Sequence, residues 1–222
     1  MSLDHNLSGS RRPWDQWLAR VLVRPLANTP VTPNQLTLAS LLTSFLGAIL
    51  LAGEPEASKN WGAVIFVAGR FLDHFDGELA RITDRTSRGG YYFDYVAGCL
   101  SYVALFAGVA IGVSAMLPEG MTILLGVLGG VSAVLVMALD FRLDEAAGDG
   151  SATGYPAWMG FELEDGIYVL VPITWLGYLH VFFVLAAVGA ALFALWTLIR
   201  VLVVRARRHS REPAGGGSSD TR

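Results

Sequence analysis

The chain has 222 residues, 53% of them hydrophobic and 16% charged, with a mean hydropathy of +0.49. That composition excludes an ordinary soluble domain and points to an integral membrane protein. The net charge is −3, with basic residues gathered between alternate apolar stretches, which is no nucleic-acid footprint; the lone Cys99 excludes an intrachain disulfide framework.

Residues 1–10 are polar and expected to be disordered, with no apolar core after Arg11 and Arg12 that would make a cleavable signal peptide. Over residues 11–27, Trp14, Trp17, Leu18, Val21 and Leu22 recur at helical spacing, flanked by Arg11, Arg12, Arg20 and Arg24. This predicts an amphipathic interfacial helix, although a helix docking on protein would carry the same pattern. Pro25, Pro30 and Pro33 end it, and Pro33 and Asn34 stand just before the first apolar run.

Six membrane spans follow, in an all-α domain over residues 34–204. The first runs from about Leu36 to Ala52 and ends at a polar turn that reaches Asn60. The second runs from Trp61 through Arg70 and Asp73 to Arg81. Its rise of roughly 30 Å matches the hydrocarbon thickness, so its charged end lines a cavity or faces protein. The third and fourth span about Tyr91–Leu117 and Met121–Leu139. A long polar loop over residues 140–156 leads to a fifth span, from Glu162 or Gly166 to Tyr178, with Pro172 inside it. The sixth runs from Val181 to Val204, and residues 205–222 read as a basic, disordered tail. Twelve arginines fall on one side of this arrangement and only Lys59 on the other. The positive-inside rule puts both termini and the 73–98 hairpin in the cytoplasm, most simply at a bacterial inner membrane.

Three carboxylates mark that hairpin. Asp73 and Asp76 share a helix face with the small residues Gly77 and Ala80, and Asp94 begins the next helix. Oxygen donors without histidine or thiolate suit Mg²⁺, Mn²⁺ or Ca²⁺. Nearby arginines, Arg70 and Arg81, are natural partners for phosphate. These features suggest metal-assisted chemistry on a phosphorylated, lipidic substrate. Ion pairs, Arg70 with Asp73 or Asp76 and Arg81 with Asp94, are the structural alternative.

The spacing Asp73-x-x-Asp76-Gly77-x-x-Ala80-Arg81, eight residues, then Gly90-x-x-x-Asp94 resembles the signature of the CDP-alcohol phosphotransferase family. Pro33-Asn34-x-x-Thr37 and the six spans are also similar to that family, over about residues 12–204. The resemblance implies transfer of a phosphoalcohol or phosphatidyl group from a CDP-alcohol, such as CDP-diacylglycerol, to an alcohol acceptor with release of CMP. It implies Mg²⁺ or Mn²⁺ on Asp73, Asp76 and Asp94, and a cytidine nucleotide near Asn34, Thr37, Gly77, Ala80, Arg81 and Gly90. It further implies a homodimer among membrane lipids.

One position departs from the pattern. The family's fourth aspartate, likened to the general base, is here Gly98. Asp165, then Glu162 and His74, are the candidate replacements; a homologue without transfer activity is the alternative. Arg142 is a candidate phosphate or acceptor contact. Seven acidic residues and one arginine over residues 140–165 favour an uncharged polyol or amino alcohol over a sugar phosphate as acceptor.

Overall fold

A computed structural model describes residues 14–147 and 163–209; of 14–17, 140, 143–147, 163–165 and 204–209 it describes the backbone alone. Among these residues every regular element is helical: α1 (Trp14–Val23), α2 (Pro33–Ala52), α3 (Glu56–Ile82), α4 (Arg88–Gly112), α5 (Glu119–Ala147), α6 (Leu170–Trp175) and α7 (Leu179–His209). Short 3₁₀ segments, Arg24–Asn28 and Leu163–Val169, follow α1 and precede α6. Among the described residues four helices are long and apolar enough to cross a membrane: α2, α4, and α5 and α7 over residues 119–139 and 179–203.

The remaining two expected spans look different. α3 has 27 residues but carries Arg70, Asp73, Asp76 and Glu78 along its length. The fifth segment is a 3₁₀ turn joined to a six-residue helix, closed by Gly177 at φ +81° before α7. Several boundaries also move. α3 starts at Glu56 rather than Trp61, directly after Pro55 at the N-cap position, with the acidic Glu56 in its first turn where the helix dipole favours it. α5 continues to Ala147, through the start of the expected loop, and α7 continues to His209, past the expected tail boundary.

Close helix contact explains the architecture. α2 packs on α3 along one side and on α4 along another. A Cβ on Gly62 of α3 would lie 2.6 Å from the Leu51 amide nitrogen, and one on Gly108 of α4 would lie 2.3 Å from the Ala48 carbonyl oxygen. Small residues that admit neighbouring backbones are what membrane helices use in place of a hydrophobic driving force. Phe66, Phe106 and Phe183 join α3, α4 and α7 in the main core. A second, smaller core docks α1: Val23 is fully buried with Leu36 and Leu79. Ala19 is also fully buried, whereas Val21 and Leu22 of the same helix are exposed. Thus α1 lays one face on the protein, and the side chains of Trp14 and Trp17 lie outside the described residues.

At the charged end the α3–α4 connection is five residues long. Thr83 and Arg85 donate their amides to the Leu79 and Ala80 carbonyls, at 3.0 and 2.9 Å, while Asp84 between them takes φ 52°. Aspartate is one of the few residues that visits this left-handed region readily. Ser87 caps α4 by accepting from the Gly90 amide at 3.0 Å. This tight turn brings the end of α3 beside the start of α4. α2 also begins here, its Gln35 side chain accepting from the Thr32 amide at 2.9 Å.

Candidate metal and nucleotide site

Three helix ends converge on one cleft. Asp73, Asp76 and Asp94 each present an oxygen, and the three oxygens lie within 4.8 Å of one another. At that separation ionised carboxylates repel by about 3–4 kcal/mol per pair at an effective dielectric of 20. Asp76 is buried and the other two are half-buried, so water offers little relief.

Helix α2 holds the two carboxylates of α3. Thr37 donates its hydroxyl to Asp76 Oδ2, and the Gly77 amide donates to Asp76 Oδ1. One turn along, Ser40 Oγ lies 3.0 Å from Asp73 Oδ1, and the Arg70 guanidinium lies 3.1 Å from Asp73 Oδ2. Arg70 is itself buried and stacks over the Tyr102 ring at 5.0 Å. The carboxylates are thereby fixed in orientation, and oxygen atoms that accept one hydrogen bond retain a lone pair for a cation. An all-oxygen cluster of this kind fits Mg²⁺ or Mn²⁺.

A cavity of about 230 Å³ opens beside the cluster. Asp76, Gly77, Ala80 and Arg81 line it from α3, and Asn34 and Thr37 from α2. Gly90, Tyr91 and Asp94 line it from α4, and the turn adds Arg85, Thr86 and Ser87. Gly90 eases this approach: a Cβ there would meet Asn34 Oδ1 at 3.2 Å and Ser87 Oγ at 3.0 Å, so both side chains would have to give by a few tenths of an ångström. Arg81 does not reach across to Asp94 as an ion pair; its Nη2 donates to Glu78 Oε1 at 2.8 Å. The pairing of Arg70 with Asp73, in contrast, is present.

Other expected residues stand apart. His74 is half-buried and does not line the cavity. Arg142 is exposed near the end of α5 and also lies off the cavity. Its neighbour Phe141 packs on Tyr91, Tyr92 and Tyr95, with ring centroids 5.4, 5.2 and 4.9 Å away. Glu162 lies outside the described residues, as does the side chain of Asp165, whose backbone belongs to the 3₁₀ segment before α6. Gly98 is buried, and a Cβ on it would meet the Met137 methyl at 2.6 Å. Sequence reasoning passed over Ser40, Glu78 and the turn residues Arg85, Thr86 and Ser87. Ser40 could have been found three residues beyond Thr37, on the same helix face.

Known proteins share this fold. The chain is 33% identical over 89 residues to the archaetidylinositol phosphate synthase of Pyrococcus horikoshii, a match covering 40% of the chain and 46% of that relative. Its fold is similar to the Mycobacterium tuberculosis phosphatidylinositol phosphate synthase PgsA1 in complex with manganese and citrate. There the TM-score is 0.65 at 20% identity, over 83% of this chain and 88% of that one. The same enzyme with CDP-DAG bound aligns with TM-score 0.64 at 19% identity, over 92% and 100% of the two chains. The family model for CDP-alcohol phosphatidyltransferases matches residues 30–204, which include all three helix ends at the cleft, and the chain belongs to that family.

Proposed function

We propose that this protein transfers a phosphatidyl or phosphoalcohol group from a CDP-alcohol, most simply CDP-diacylglycerol, to an alcohol acceptor. The observation that carries this reading is the convergence of Asp73, Asp76 and Asp94 at a cleft whose walls include Gly77, Ala80, Gly90 and Arg81. In the reaction the acceptor oxygen bonds to the phosphorus of the transferred group, the bond from that phosphorus to CMP breaks, and CMP leaves. Asp73, Asp76 and Asp94 would hold Mg²⁺ or Mn²⁺, which supplies neutralisation of phosphate charge and Lewis-acid polarisation. Arg81 binds phosphate oxygens at the mouth, while Asn34, Thr37, Ala80 and Gly90 form the nucleotide walls. The name of the Pyrococcus relative suggests an inositol phosphate acceptor, whereas the acidic 140–165 segment favours an uncharged polyol or amino alcohol.

The acceptor proton needs a base. Asp165 is our first choice, with Glu162 and His74 behind it and Arg142 as an acceptor contact. Helix α6 packs on α3, and Trp175 Nε1 donates to the Asn60 carbonyl at 3.2 Å. From Trp175 back to Asp165 the chain rises about 17 Å, against about 20 Å from Asn60 to Asp73, so the two aspartates come roughly level if the segments run antiparallel. A second reading, a homologue that binds nucleotide without turning it over, rests on Gly98.

We further take the chain to cross the membrane six times, as a homodimer, with cleft and termini cytoplasmic. The 27-residue α3 is long enough at about 40 Å. Its Lys59 stands at the end opposite the cleft, between Glu54 and Glu56 at 2.8 and 3.3 Å. The deciding experiment incubates protein in lipid with Mn²⁺, CDP-diacylglycerol and a panel of alcohols, and measures CMP release and Mn²⁺-dependent CDP binding. CMP release with one acceptor supports transfer. Binding without release supports the second reading, and absence of both overturns the site.

A further inference from the structure

Glu78 is a carboxylate that the proposed transfer does not use, yet its side chain is only 3% exposed. A buried charge of this kind is costly unless paired. Among its partners are two arginines from different elements: Arg81 Nη2 at 2.8 Å and Arg20 Nε, on α1, at 4.0 Å. The Arg81 side chain is itself 58% exposed, so little besides this contact restrains a long, rotamer-rich group at the cleft mouth.

Where Glu78 holds the guanidinium matters. Arg81 Nη2 lies 3.4 Å from the point a Cβ on Gly77 would occupy, so the side chain folds back over Gly77, toward the cavity both residues line. Gly77 leaves the space and Glu78 fixes the arginine in it. Arg20 extends the chain of charge to α1, whose Ala19 and Val23 are buried and whose Val23 shares a core with Leu79, the residue after Glu78.

We infer that Glu78 is a positioning residue: it pins Arg81 over Gly77 for a nucleotide phosphate. The inference rests on the transferase reading of the site. A merely structural Glu78 would change stability but would not make its effect on nucleotide affinity depend on Arg81.

The test is a double-mutant cycle on the full chain in lipid nanodiscs, with CDP binding in the presence of Mn²⁺ measured by calorimetry. Glu78→Gln keeps the shape and removes the charge; it should weaken CDP binding about ten-fold, the scale of one charge-assisted hydrogen bond. Arg81→Ala should weaken it at least as much, and Glu78→Gln with Arg81→Ala no further than Arg81→Ala alone. Mn²⁺ binding without nucleotide should stay within two-fold in all three. Where Glu78→Gln does not fold, Glu78→Asp takes its place in the cycle with the same coupling expected. Losses that multiply, or unchanged CDP affinity in the Glu78 variant, overturn this inference and leave the transferase reading standing. A parent protein that binds no CDP with Mn²⁺ overturns both.

Discussion

Removing one hydroxyl from α2 should loosen the metal site on α3. Thr37 is 2% exposed and Asp76 5% exposed, so neither group can substitute water freely for a lost partner. The Thr37 hydroxyl has one proton and two acceptors within reach, Asp76 Oδ2 and the Pro33 carbonyl at 3.2 Å. The contact to the carboxylate is the shorter, and the acceptor is charged, so the proton belongs there. Thr37→Val keeps the shape and deletes the donor. A hydrogen bond to a charged group contributes about 1.5–3 kcal/mol, which is about 10–100-fold in affinity, the range observed when a partner of a metal ligand is lost. Titrating Mn²⁺ into nanodisc-embedded protein, with free Mn²⁺ followed by electron paramagnetic resonance, reads this directly. Affinity within two-fold of the parent, in a variant that unfolds at the parent temperature, would refute the claim that Thr37 orients a ligand. Ser40→Ala should cost less, because Ser40 Oγ divides its proton between Asp73 Oδ1 at 3.0 Å and the Thr37 carbonyl at 2.9 Å.

Asp76→Asn, or EDTA added to the parent, should abolish Mn²⁺-dependent CDP binding; retention in either case points to ion pairing rather than a metal site. Gly98→Asp should raise CMP release, because the Met137 methyl that a Cβ would meet at 2.6 Å is the far end of a flexible side chain and can move aside; an unchanged rate with CDP binding retained would show that another group already serves as base. Asp165→Asn should lower turnover roughly 10²–10⁴-fold with CDP binding retained if it is that group; turnover within a few-fold excludes it. Gly108→Val, which drives a Cβ toward the Ala48 carbonyl, should destabilise the α2–α4 contact by about 2–3 kcal/mol in detergent unfolding, and an unchanged midpoint would show that the helices part without cost.

How much was legible in advance depended on whether a signal was local. The pairing of Asp73 and Asp76 with Gly77 and Ala80 is written in one helix at fixed spacing, and the short turn to Asp94 leaves the second helix few places to go. The extension of α5 was hidden, because residues 140–147 mix charge with good helix formers and read as a loop. Phe141 supplies what the pattern lacked: it packs on three tyrosines of α4, a contact no periodicity in α5 announces. Arg81 shows the same limit. Asp94 across the hairpin and Glu78 three residues back were both possible partners, and the i, i+3 neighbour won because it lies on the same helix. Ser40, one hydroxyl in an apolar run, reads as a packing residue until the facing carboxylate is known.

The two halves of the cleft are not equally furnished, and this bears on what the protein does. On the side proposed for the donor, Asp73 and Asp76 have partners for both oxygens, and the arginine at the mouth has a buried carboxylate to hold it. Around Gly98, one turn along α4 from Asp94, the point a Cβ would occupy lies 2.6 Å from the Met137 methyl, the end of a side chain that takes up no proton at neutral pH. A site under pressure to bind a nucleotide needs only the first half; a site that also deprotonates an acceptor needs a base delivered from elsewhere. The 3₁₀ segment Leu163–Val169 is the acidic element that could deliver it, and α6 fastens that segment to α3. Binding and turnover therefore have to be measured apart, since the donor half can be intact in a protein whose proton acceptor is the residue in question.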